Sequence, residues 1–216
     1  MRTEDAPLIR LEDYRPSDWL IDTVDLDVSL HPTKTRVRSL LSLRPNPAGQ
    51  PGAPLTLDGD ELSLKTISLD GKPLDASAYA ASPQALTIHA PPRRGFTLTI
   101  ETEIDPSANT KLMGLYRSSK VYCTQCEADG FRRITYFLDR PDVMSVYTVR
   151  LEAAKAEAPV LLSNGNLVAA AEQPGGDRHF AVWHDPHPKP AYLFALVGGA
   201  LDHVRQDYVS ADGHKV

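Results

Sequence analysis

Hydrophobic and polar residues alternate one for one along much of the chain. Val24, Leu26, Val28 and Leu30 are separated by Asp25, Asp27 and Ser29, the period of a strand with one buried face. His31-Pro32-Thr33 interrupts the run and residues 35–43 resume it, which predicts a hairpin or a neighbouring pair. The stretch 45–54 is a Pro/Gly loop without periodicity. Residues 62–69 read as a strand closed by the turn Asp70-Gly71-Lys72-Pro73, residue types that supply turn geometry. A short strand is predicted at 85–89. Phe96, Leu98, Ile100, Thr102 and Ile104 give the cleanest alternation in the chain. Strand signals return at 146–151, 160–162, 166–171, 179–183 and 192–197. The stretch 204–210 alternates again before the turn Ala211-Asp212-Gly213, so the pattern predicts a hairpin whose returning strand lies in further polypeptide.

Residues 109–142 stand apart. They show no sustained period and are rich in polar and aromatic side chains. An irregular stretch of that length between strands is usually functional.

Composition narrows the architecture. Eighteen prolines and thirteen glycines in 216 residues favour short strands and turns over long helices. The expected fold is all-β, sandwich-like or one large curved sheet, with residues 1–216 forming a single domain. The chain is 42% hydrophobic and 24% charged, ordinary for a soluble globular protein. A net charge of −5, with basic residues clustered no further than Arg93-Arg94 and Arg132-Arg133, excludes nucleic acid as the expected partner. The first residues hold no apolar leader, and the longest apolar run, 191–201, is too short to span a bilayer, so no membrane partner is expected. Two cysteines in one cluster do not make a secreted disulfide framework. A cytoplasmic location follows as the simplest expectation.

Several motifs invite chemistry and lose it on spacing. Cys123-Thr124-Gln125-Cys126 is a CxxC, but no second CxxC supplies the remaining ligands of a structural zinc site. No βαβ pattern surrounds it for a thioredoxin-type role either. A close pair of structural thiols is the simpler reading. His184 and His187 stand three apart, yet Pro186 and Pro188 rule out the helix that would aim both at one metal, and no HExxH occurs. Ser163-Asn164-Gly165-Asn166 reads as an Asn-Gly hairpin loop rather than a nucleophile turn. Asp139-Arg140-Pro141-Asp142 reads as a local ion-pair cluster. Gln125, Glu127, Asp129 and Arg132 remain, around Gly130, with Gln125 and Glu127 two residues apart. In an extended segment, residues two apart point the same way, and such an amide–carboxylate pair can accept hydrogen bonds from an ammonium group. By spacing alone, a solvated surface Glu is the commoner explanation.

The stretch CTQCEADGFRRITYFLDRPDV, residues 123–143, resembles the signature of the N-terminal domain of the bacterial aminopeptidase N family, zinc metalloaminopeptidases of the gluzincin type. Further pieces agree in order: DYRPSDWLIDTVDLDVSLHPTKTRV upstream, Asn109-Thr110 with GLYRS, LLSNGN at 161–166, and HDPHPKPAYLFALVGG at 184–199. The resemblance implies a first, β-structured domain of a multidomain enzyme that removes N-terminal residues from peptides. It implies that this domain packs on its own catalytic domain, which would carry HExxH and bind the zinc. Neither catalytic nor metal-binding residues are then expected in this chain, and the chain alone should be inactive. What carries over is substrate binding: Gln125 and Glu127 would contact the substrate's free amine. Gly130 would let the loop turn sharply, with Phe131, Tyr136 and Phe137 packing its base. A free-standing β-sandwich binding module, or a small redox or zinc domain built on the two cysteines, are the competing readings.

Overall fold

The computed structural model describes residues 10–215. Its centre is the paired β1 (Trp19–Ser29) and β2 (Thr35–Pro45), whose alternating side chains bury Val24, Leu26, Val28, Val37 and Leu41. Around them runs a sheet of eight strands. Beyond β2 lie β8 (Phe96–Ile104), β4 (Ser63–Leu69) and the two-residue β5 (Lys72–Pro73). On the other side of β1 come β11 (Ser145–Ala154), β14 (Arg178–Lys189) and β13 (Asn166–Glu172). The β1–β11 pairing is parallel and the rest are antiparallel. A three-stranded sheet is built from β3 (Leu55–Asp58), β6 (Tyr79–Ser82) and β7 (Ala85–Ile88). A four-stranded sheet orders β12 (Val160–Ser163), β15 (Leu196–Gly199), β10 (Val121–Gln125) and β9 (Gly114–Ser118). Side chains from all three sheets enter one hydrophobic core, and helix among the described residues is limited to four single 3₁₀ turns.

The all-β expectation therefore holds, with three sheets in place of two layers or one. Several local expectations change. Residues 109–142 are not irregular throughout, because Gly114–Ser118 and Val121–Gln125 form a two-residue hairpin through Ser119 and Lys120. Their burial is confined to Gly114, Leu115 and Tyr122, too few to print a period on the sequence. The 192–197 signal divides into a 3₁₀ turn, Ala191–Leu193, and the strand Leu196–Gly199. Ser163–Asn166 is not a hairpin loop. The strands on either side pair with different partners, β12 with β15 and β13 with β14, so the segment is a corner between sheets. Gly165 sits there at φ +84°, where a Cβ would fall 2.3 Å from the His184 carbonyl oxygen.

The predicted strand at 204–210 does not form. Residues 202–209 are exposed and carry a single bridge, Val209 to Lys215. Alternation supplies a face but no partner, and a strand without a neighbour has nothing to receive its backbone hydrogen bonds. Strand β14 runs through Pro186 and Pro188. Its register against β11 skips there, from Tyr147↔Asp185 to Ser145↔Lys189, and this irregularity accommodates two residues without N–H groups.

Candidate functional site

The site begins where β10 ends. Thr124 fixes that end: its Oγ1 accepts the Leu196 N–H at 2.9 Å and donates to the Leu196 carbonyl at 3.2 Å. The 195–196 segment is braced from behind by the sheet corner. Asn164 Oδ1 accepts the Ala195 N–H at 2.7 Å, Asn164 Nδ2 donates to the Leu193 carbonyl at 3.1 Å, and Ser163 Oγ donates to the Ala195 carbonyl at 2.7 Å. The polar turn in LLSNGN is thus structural, a brace for the strand that delivers Gln125.

Strand β10 ends at Gln125, and Glu127 already lies in the turn that follows. Gln125 and Glu127 are exposed and Cys126 between them is buried. Gln125 Nε2 donates to the Glu127 carbonyl at 3.4 Å. The chain then turns, with the Gly130 N–H donating to the Cys126 carbonyl at 2.8 Å. Gly130 is needed for close approach, not for a left-handed bend: its φ is −84°, and a Cβ would lie 2.4 Å from the Gln125 carbonyl oxygen.

Below the turn, Phe131 is fully buried and meets Phe137, Phe194 and Tyr147 edge-on, with ring centroids 4.8, 5.0 and 6.0 Å away. The following residues are pinned one by one to the large and three-stranded sheets. Arg133 pairs with Asp60 and Glu61, Thr135 Oγ1 lies 3.0 Å from Ser39 Oγ, and Tyr136 OH donates to the Ser82 carbonyl at 2.6 Å. Phe137 exchanges both backbone hydrogen bonds with Asp58. The loop base is tied down residue after residue while carrying no strand period.

Sequence reasoning missed the pairing of Arg132 with Asp139. It placed Asp139 in a local cluster with Arg140 and Asp142, but Asp139 turns inward and accepts from the Arg132 backbone N–H at 3.0 Å and from Nε at 3.1 Å. Burial pushes the Asp139 carboxyl up, against the opposing pull of those two donors. Arg140 and Asp142 do pair, through bonds of 2.8 and 2.7 Å. Hydrogen bonding to Arg140 holds the Asp142 carboxyl below its ordinary range. A separation of seven residues has no local signature, so only the fold reveals the 132–139 contact.

Both thiols are free, Cys126 buried and Cys123 half-buried. Burial raises both above the ordinary thiol value, Cys126 far more strongly. A raised thiol pKa means little thiolate at neutral pH, and the thiolate is the reactive form. Native iodoacetamide labelling at pH 7 is therefore expected to be slow at both sites. It should accelerate as pH rises, Cys123 before Cys126. Rapid labelling of both at pH 7 would show that the turn opens. No group of three or more His, Cys, Asp or Glu among the described residues is arranged to hold a metal ion.

Comparison with known proteins bears on this geometry. Residues 20–193 match the model of the Peptidase M1 N-terminal domain. The aminopeptidase N of Caulobacter vibrioides is 51% identical over 216 residues, which are 100% of this chain and 24% of that protein. The chain thus spans about a quarter of the length of the curated relatives it matches. The structure of Legionella pneumophila aminopeptidase A in complex with aspartic acid superposes with a TM-score of 0.89 at 32% identity, covering 96% of this chain and 24% of that one. An M1 zinc metallopeptidase from Deinococcus radiodurans shares the fold, with a TM-score of 0.75 at 17% identity, covering 92% of this chain and 46% of that one. On these grounds the chain belongs to the Peptidase M1 N-terminal domain family.

Proposed function

We propose that residues 1–216 are the N-terminal domain of a zinc-dependent aminopeptidase and supply the surface that anchors the substrate's free amino group. The observation that carries this reading is the placement of Gln125, at the end of β10, and Glu127, on the turn that follows, both exposed above a base tied to neighbouring segments. A carboxylate at such a point can accept a charge-assisted hydrogen bond from an ammonium group. Glu127 is in water in this chain, so the desolvation that would make the contact selective has to come from polypeptide packed over it. In this reading that polypeptide is the enzyme's own catalytic domain, which also holds the zinc. Names of the relatives, aminopeptidase N and aminopeptidase A, support the peptide-cleaving role. Glu127 and Gln125 bind and orient; neither acts as a general base. The unbridged thiols fit a reducing compartment, and we place the protein in the cytoplasm.

The test is activity with and without the rest of the enzyme. The intact protein is expected to release the N-terminal residue from an aminoacyl arylamide and to lose that activity to a chelator. The 216-residue chain alone should show no turnover at any zinc concentration. Turnover by a pure sample of the chain, or chelator-insensitive turnover by the intact protein, would overturn the reading.

A further inference from the structure

The turn that carries Glu127 is held in an unequal way. Downstream of it, successive residues from Arg133 to Phe137 are tied to neighbouring strands. The turn itself is exposed at Glu127, Ala128 and Asp129. Two side-chain contacts reach it among the described residues. One is the bond from Gln125 to the Glu127 carbonyl. The other is the approach of Asp129 Oδ2 to Arg132 Nη1 at 3.8 Å.

Arg132 is built to serve as a fixed post for that contact. The Asp139 side chain is 1% exposed. It accepts from the Arg132 backbone N–H and Nε, and the Asp139 carbonyl accepts from Arg132 Nη2 at 3.1 Å. The two guanidinium bonds, from Nε and Nη2 to the same residue, set the plane of the guanidinium, and the backbone bond holds the chain beside it. They leave Nη1 directed toward Asp129 while Asp58 lies 3.9 Å from Nη2. The planar, forked head of arginine makes this possible, and a lysine ammonium cannot satisfy two buried acceptors and a third carboxylate in one orientation. An ordinary exposed ion pair contributes little. This one differs because one partner is already immobilised by a buried carboxylate, so less freedom is lost when Asp129 joins it.

We infer that Arg132 is a positioning residue for Glu127, oriented by Asp139 and acting on the turn through Asp129. The inference rests on the anchoring role proposed for Glu127. It assigns no contact between Arg132 and substrate. Loss of the post would let the turn sample other positions, and substrate binding would weaken while the chemical step stayed as it was.

A double-mutant cycle in the intact protein tests this, with KM and kcat measured on an aminoacyl arylamide for Arg132→Lys, Glu127→Ala and the pair. Arg132→Lys is expected to raise KM about fivefold with kcat changed less than about twofold. In the Glu127→Ala background it should add nothing, because neighbours acting through one another are non-additive. A merely structural Arg132 would raise KM equally in both backgrounds, and that result, or no rise at all, overturns the inference. Glu127→Ala leaving KM unchanged would instead fell the anchoring reading, and this inference with it. Should Arg132→Lys fail to fold, the exposed Asp129→Asn enters the same cycle. It is expected to raise KM about twofold only when Glu127 is present, and absence of that rise overturns the inference.

Discussion

Replacing Glu127 with alanine in the intact protein is expected to raise KM for free-amine substrates about tenfold, within a range of about 5- to 150-fold set by about 1–3 kcal/mol for leaving a desolvated charged partner unpaired. The physical reason lies in what the substrate loses. A peptide ammonium group that enters a closed site surrenders its water, and only a fixed acceptor repays that loss. Glu127 is presented on a turn whose base, Phe131 to Phe137, cannot drift, so the acceptor waits in place. Because the contact serves the ammonium in the ground state and the transition state alike, kcat should change much less than KM. Glu127→Gln keeps an acceptor but removes the charge and should fall between alanine and the native residue. The same contact discriminates against N-acylated peptides, which would bury the carboxylate without a partner. Steady-state kinetics on matched free and N-acetylated substrates checks both points. An unchanged KM for Glu127→Ala would remove this residue from the site.

Phe131→Ala is expected to be the most damaging single change to stability, at about 3–5 kcal/mol for deleting a buried aromatic ring. The ring is fully buried and touches three others, Phe137, Tyr147 and Phe194, which come from the loop itself, from β11 and from the segment before β15. Its loss opens a cavity where the loop, the large sheet and the four-stranded sheet meet. Native domains are stable by only about 5–15 kcal/mol, so a large part of that margin would disappear. For a chain of this size the midpoint of thermal unfolding should fall by about 10 °C. Calorimetry or circular dichroism on the variant measures it. A shift within about 2 °C would mean that the aromatic cluster does not hold the loop base.

The large sheet was largely legible because its strands have one wet face and one dry face. β1, β2 and β8 carry their burial pattern in the residues themselves, as Phe96 to Ile104 shows at every position. Of the four-residue strands, Ala85–Ile88 and Val160–Ser163 were read from the sequence and two others were not. Leu55–Asp58 and Tyr79–Ser82 span four residues each, too few for a period to stand above chance. Membership in the M1 N-terminal family agrees with the resemblance carried by residues 123–143.

For the site, residue identity and tertiary structure divide the work. The sequence by itself determined that the chain would be β-structured and that Phe131, Tyr136 and Phe137 would be driven inward. Each of these follows from local periodicity, side-chain hydrophobicity or the resemblance, and none needs a distant partner. Only the tertiary structure decided that Asp139 turns away from Arg140 to bind Arg132, that Ser163–Asn166 joins two sheets, and that 202–208 stays unpaired. Those outcomes depend on which strand lies beside which. A carboxylate, a corner and an edge each take their role from a neighbour that is remote in sequence, and alternation along one strand carries no record of it.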